Sequence, residues 1–397
     1  MNIGGVYIPV SVMMFLEYAV WGAWAPVLAA RLLGPLKMSG KQTGWIYATL
    51  PLACMISPLV AGSLTDKWVN AEWVLIAAHL IGAVLLFAAA RCQRFTPLFI
   101  VMLLYSIFYA ATLPLVNAVL FSHVEGVGGD VGKVFIWAPV AWALIGYILT
   151  GWRWIFKTEG EGRDCLYLAA VLSLLMGVAC LFLPATPPAG KGTMPIAGIV
   201  EMLRDGNFLV FFIASIIIAG MMQFYFLGTA RFMQDIKVPG KNVPASMAIA
   251  QIAQAAATWF ALGYFLEVVG FKNTLIIGAG CWLVMYIIYV SIGSRWPVVA
   301  SQSLHGLAYV FFIIVGQIFV DAVAPPEIRS SMQAMIFFAT VGVGMFLGTQ
   351  LAGVVMDKFS VDGRFQWRKI WLVPMIVVLI GVVLLATLFN YTPPAGN

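Results

Sequence analysis

Charge is what this chain has least of. Only 10% of its residues are Asp, Glu, Lys or Arg, against about 25% in an ordinary soluble domain. With 62% of residues hydrophobic and a mean hydropathy of +0.97, the apolar surface exceeds what a soluble fold can bury. Histidine is scarcer still, at three in 397 residues. The cysteines Cys54, Cys92, Cys165, Cys180 and Cys281 are odd in number, scattered and without a CxxC spacing. That argues against a metal site and against a disulfide framework. No cofactor is implied. The net charge of +6 is spread over loops with no basic run, so nucleic acid is not an expected partner. No nucleophile–base pair or Gly-rich phosphate loop of useful spacing occurs, which speaks against an enzyme. No extramembranous stretch is long enough for a receptor's signalling domain. Met1 to Val10 carries no basic n-region and reads as the start of a first membrane helix, not a cleaved signal.

What is present is apolar runs of about 20 residues, the length of membrane helices rather than of barrel strands. Breaks at charged and Gly/Pro-rich stretches give twelve segments: 7–31, 42–65, 72–90, 96–122, 133–153, 165–184, 207–234, 243–267, 273–293, 297–322, 329–356 and 370–390. Pro184-Ala185-Thr186-Pro187-Pro188-Ala189-Gly190-Lys191-Gly192 divides them near the midpoint. The reading is an all-α integral membrane protein: six helices over 1–184, a cytoplasmic linker at 185–206, and six helices over 207–397.

An internal repeat supports the halving. Gly62 with Asp66 and Lys67, Gly263 with Glu267 and Lys272, and Gly353 with Asp357 and Lys358 end the second, eighth and eleventh segments. Glycine would let helices approach closely, and the acid would need a partner across a loop. Three copies at equivalent ends fit three-helix repeats within each half. The pattern resembles the major facilitator superfamily, which implies two pseudo-symmetric six-helix bundles and both termini inside. With that orientation about 6 of the 22 Lys and Arg lie inside and about 16 outside, against the positive-inside expectation.

Polar residues within the segments are the candidates for function. Glu17 is the acid nearest a segment centre, either a protonatable group exposed alternately to the two sides or a structural carboxylate bonded to neighbouring helices. Asp321 reads as an interfacial residue pairing with a loop group such as Arg329, and His79 as a polar group tucked between helices. His305 lies one turn before Tyr309 on the same face. Gln251 and Gln254, at i and i+3 among alanines, leave room for a solute. Gln223 and Asn117 are lone amides, open between helix–helix bonding and ligand contact. Trp137 and Trp142 flank Pro139, which loosens the fifth helix. Amides with aromatic faces suit a ring-bearing polar solute.

More particularly, the chain resembles the nucleoside:proton symporters of that superfamily. The resemblance runs through most of the sequence. It is carried by Trp21-Gly22-Ala23-Trp24, Asp66-Lys67-Trp68, Thr112-Leu113-Pro114-Leu115-Val116-Asn117, Ile136-Trp137, Gln251-Ile252, Gly270-Phe271-Lys272-Asn273, Ile328-Arg329-Ser330-Ser331 and Trp371-Leu372. It implies a monomeric inner-membrane transporter that takes up nucleosides with protons by alternating access; a sugar or other small polar metabolite is the alternative cargo. The family's solute contacts are matched by Gln223, Gln251, Trp142 and Tyr309. They are altered where Phe135 replaces an arginine, Pro139 a threonine, Gln254 a glutamate, Val310 an aspartate and His305 a tyrosine. With those acids gone, Glu17 becomes the expected proton-coupling residue.

Overall fold

The computed structural model describes residues 3–124, 130–158, 162–188, 196–291, 294–325 and 328–391. Among these, eleven helical stretches are long and apolar enough to cross a membrane. The first half contains α1 (Tyr7–Leu33), α2 (Gly40–Lys67), α3 (Ala71–Arg91), α4 (Phe95–His123), α5 (Trp137–Ile155) and α6 (Arg163–Ala179). The second contains α7 (Gly206–Asp235), α8 (Val243–Phe260), α9 (Gly270–Ser291), α10 (Arg295–Val323), α11 (Ser331–Lys358) and α12 (Trp367–Thr387). A nine-residue helix, Ile196–Arg204, lies in the stretch between the halves.

Local chemistry explains the ends and breaks. Ser39 and Gln42 form a reciprocal cap at the start of α2, with Gln42 N–H donating to Ser39 Oγ at 3.1 Å and Ser39 N–H donating to Gln42 Oε1 at 3.0 Å. Those bonds satisfy two amides that the helix itself leaves unpaired. Asp205 does the same for α7, accepting from Phe208 N–H at 2.7 Å. Pro26 interrupts α1 between Trp24 and Leu28, because a proline ring has no N–H for the ladder. The chain of α8 runs on past Phe260 through Leu262–Tyr264 and a π-helical turn, Phe265–Val269. Gly270 then turns with φ +78° and its N–H donates to the Phe265 carbonyl. A glycine in that conformation is a helix stop, so the 18-residue α8 is separate from α9 and stands beside the eleven apolar spans as a twelfth long helix.

Two further π-helical turns occur, Tyr309–Ile314 in α10 and Phe338–Gly344 in α11. Large apolar side chains such as Val84, Ile155 and Phe260 are 69%, 74% and 82% exposed, as expected for residues that meet lipid rather than water.

Contacts between the halves gather at the ends opposite the N-terminus. Asp357 accepts the N–H of Gly40 and, at 3.0 Å, that of Lys41. A Cβ on Gly353 would lie 2.6 Å from the Gly40 carbonyl oxygen, and one on Gly44 would lie 2.6 Å from that of Thr349. Arg153, bound to Asp164 by Nε at 2.6 Å and Nη2 at 2.9 Å, also reaches the Gly240 carbonyl at 3.2 Å. Thr150 Oγ1 accepts from Ala245 N–H at 2.9 Å.

The glycine repeat needs correcting here. Gly353 does permit close approach, but a Cβ on Gly62 or Gly263 would meet nothing within 4 Å. The identical spacing therefore marks one tight contact and two open positions. The expected Arg329–Asp321 pair is present at 3.7 Å between half-exposed side chains.

Candidate functional site

Where α1, α5, α7 and α8 converge, a pocket is lined by Gly22, Trp142, Gly146, Tyr225, Phe226, Ala248 and Gln251, among others. It takes residues from both halves. Its volume of about 20 Å³ holds a water-sized guest and no more, so the halves are drawn together at this depth. Gly22 makes the narrowing possible: a Cβ there would stand 3.0 Å from the Trp142 ring.

The pocket's aromatic wall is continuous. Trp21 meets Trp142 edge-to-face with ring centroids 5.6 Å apart, and Trp142 meets Phe226 at 6.3 Å. Phe226 in turn stands 6.0 Å from the His305 ring, and Tyr225 stacks on His305 at 3.8 Å and 12°. Trp282 Nε1–H donates to His305 Nδ1 at 3.0 Å. An imidazole nitrogen that accepts cannot carry the proton, so the neutral ring bears its hydrogen on Nε2. His305 is thus a ring-stacked donor with a fixed tautomer, placed by α9 and α7.

The remaining expected contacts are distributed less evenly. Gln251 lines the pocket, while Gln254, three residues on, is 8% exposed where α8 crosses α10. That crossing is so close that a Cβ on Gly306 would overlap the Ala250 carbonyl oxygen and stand 2.8 Å from the Gln254 nitrogen. Gln223 is 5% exposed on α7. Tyr309 is half-buried and opens the π-helical turn of α10, a feature that often marks functional positions. Asn117 is half-buried, and its Oδ1 is buried without a hydrogen-bond partner. Phe135 lies away from this pocket, against Phe121 at 6.1 Å. Asp66 and Lys67 close α2 at the end that carries the N-terminus.

Glu17 is not in the pocket. It is fully buried inside the first half, with Oε2 2.9 Å from His79 Nε2 and Oε1 2.7 Å from Thr112 Oγ1. Sequence reasoning placed His79 between helices but did not join it to Glu17. Both lie near the middle of their segments, and that shared depth was the available signal.

Among the described residues no group of three or more His, Cys, Asp or Glu could hold a metal ion. The description "Nucleoside H+ symporter" belongs to a family model that matches residues 5–393. The chain is 31% identical to YegT of Escherichia coli strain K12, over 96% of this chain and 93% of that one. It is 28% identical to the nucleoside permease NupG of the same organism, over 91% of each. A solved structure of a variant of the nucleoside transporter NupG superimposes with a TM-score of 0.86 at 25% identity, covering 97% of this chain and all of that one. Helices of this number and order, a pocket shared between two halves, and a match running nearly end to end are the marks of a membrane transporter rather than an enzyme: the chain belongs to the nucleoside H+ symporter family.

Proposed function

We propose that the protein takes up nucleosides with protons across the inner membrane, as a monomer with both termini cytoplasmic. The two units, 1–184 and 207–397, rock about the pocket while 185–206 tethers them. The observation that carries this reading is the wall of Trp142, Phe226 and Tyr225 beside Gln251, built from both halves and backed by His305 stacked on Tyr225. A nucleobase offers a flat face to stack and an edge of donors and acceptors, which is what rings next to an amide recognise. The relatives' names as nucleoside transporters support the same cargo.

In this reading Gln251 and Gln223 address the base or ribose, and His305 donates from Nε2. Gln254, Tyr309 and Asn117 join once the pocket widens, Asn117 through its unpaired Oδ1. Phe135, outside the closed pocket and against Phe121, brings an apolar side chain to the arginine position of the family only as the pocket widens. Glu17 carries the coupling charge, since Gln254 and Val310 occupy the positions of the family's other acids. With both termini cytoplasmic, the packed ends around Asp357, Gly40 and Arg153 face the outside, and in this reading that side is the closed one.

The experiment is uptake of labelled uridine by proteoliposomes. Uridine should accumulate when the outer bulk is more acidic than the lumen and should only equilibrate without the gradient. Uptake of a sugar in place of uridine would replace the cargo. Uridine uptake indifferent to the gradient would remove the coupling.

A further inference from the structure

Glu17 and His79 form a fully buried pair whose hydrogen bonds can be counted. Ser173 Oγ donates its one hydrogen to the His79 carbonyl at 2.8 Å. Its lone pair is therefore what meets His79 Nδ1 at 3.2 Å, and Nδ1 must be the protonated nitrogen. That leaves Nε2 facing Glu17 Oε2 at 2.9 Å. At that distance one hydrogen must lie between them, as carboxylate with imidazolium or as carboxylic acid with imidazole. In either form the pair holds one exchangeable proton and is neutral overall. Without that proton a carboxylate would face a nitrogen lone pair, with a net negative charge and no water, because Glu17 is 0% and His79 1% exposed. Release of the proton therefore requires the two to part and become hydrated.

Among the described residues, His79 is the one salt-bridge partner of Glu17. Thr112 Oγ1 stands 2.7 Å from both Glu17 Oε1 and the Tyr109 carbonyl, and so adjusts its single hydrogen to either protonation form. The titratable groups nearest Glu17 are Tyr18 on its own helix, Tyr105 and Tyr109 on α4, and Cys180 at the end of α6. Of the cations on α1, α3, α5 and α6, Arg153 is committed to Asp164, and Arg31 reaches the Ala90 and Cys92 carbonyls at the end of α3. Arg91 is exposed there, and Arg163 opens α6 at that same side; Lys133, just before α5, is exposed. Movement of the pair also reaches the pocket. Tyr109 Oη–H donates to the Glu17 carbonyl at 2.8 Å, and its ring meets Trp21 at 6.4 Å, which in turn meets Trp142.

We propose that the coupled proton is carried between Glu17 Oε2 and His79 Nε2, with His79 as much a part of the carrier as Glu17. Proton arrival joins α1 to α3 at mid-membrane. Its departure separates them, and the separation is passed through Tyr109 and Trp21 to the solute pocket. This rests on the symport reading above and adds the second residue of the carrier.

The test compares native protein, Glu17→Gln and His79→Gln in proteoliposomes for uridine accumulation and for uridine counterflow. For one proton per solute, a gradient of about one pH unit supports about tenfold accumulation. Native protein should approach that ratio. Both variants should fall to about onefold while retaining counterflow, because exchange of solute for solute needs no net proton movement. Accumulation retained by either variant overturns the proposal. If a variant loses both activities, the native protein decides through ¹⁵N-histidine spectra, in which three histidines must be assigned. The His79 signal should show a protonated Nδ1 and an Nε2 that responds to uridine; a spectrum unmoved by uridine overturns the proposal. Absence of gradient-driven accumulation in the native protein itself defeats the symport reading instead, which keeps the two failures apart.

Discussion

Asp357, closing α11, accepts the backbone N–H of Lys41 at 3.0 Å in the first turn of α2. One carboxylate thereby serves as anion at a helix start belonging to the other half of the molecule, with the Gly40 N–H as its second donor. Helix starts carry unpaired donors and partial positive charge, so an acid there is favoured. The bond exists only while the halves are together at this end.

Asp357→Asn keeps the size and removes the charge. The loss of a charge-assisted acceptor is worth about 1–2 kcal/mol, enough to shift the equilibrium between closed and open ends about tenfold. The expected outcome is faster modification of a Gln251→Cys reporter by a thiol reagent supplied from the Lys41 side. An unchanged rate would show that the contact does not hold the end shut.

Two identical substitutions should differ sharply. Gly306→Ala puts a methyl into the Ala250 carbonyl, whereas Gly62→Ala enters open space. Backbone against backbone cannot yield as a side chain can, so the first should cost about 1–3 kcal/mol and lower the melting temperature in detergent. The second should be neutral or slightly stabilising, because alanine is the better helix former by about 1 kcal/mol.

Trp282→Phe removes the indole N–H that fixes the His305 tautomer and leaves an aromatic ring in place. His305 would then be free to carry its proton on Nδ1, turning Nε2 from donor to acceptor. Uridine affinity should weaken about tenfold, or about 1.4 kcal/mol, with a small change in stability. Isothermal titration against a thermal melt separates the two effects.

Arg153→Lys keeps the charge but loses the two-pronged bond to Asp164 and the reach to the Gly240 carbonyl. Arginine and lysine are not equivalent at such a site. Arg153 is 3% exposed and Asp164 11%, so solvent does not replace the lost bonds. A destabilisation of about 2–3 kcal/mol is expected, read as a lowered melting temperature. Arg329→Lys, in a half-exposed pair at 3.7 Å, should change little.

Much of this was legible along the chain. The apolar segments predicted the spans to within a few residues because a membrane helix satisfies its own backbone and needs only enough apolar length. The end of α8 shows the limit. Its pattern stopped near 267, but the break at Phe260, the π-helical turn and the left-handed Gly270 are backbone events that hydropathy does not encode. The glycine repeat shows another, since spacing alone could not distinguish Gly353, pressed against Gly40, from Gly62, which faces open space.

By itself, then, the sequence determined that the protein lives in a bilayer and that its few central polar residues must have partners. Each follows from local composition, because desolvation acts on every segment separately. Only the tertiary structure decided who the partners are. Glu17 meets a histidine 62 positions away, Asp357 meets amides 316 and 317 positions away, and Gln251 shares a pocket with Trp142 while Gln254 does not. A hydrogen bond reaches about 3 Å, so its partners are set by how helices cross and rotate against one another, which no single helix specifies.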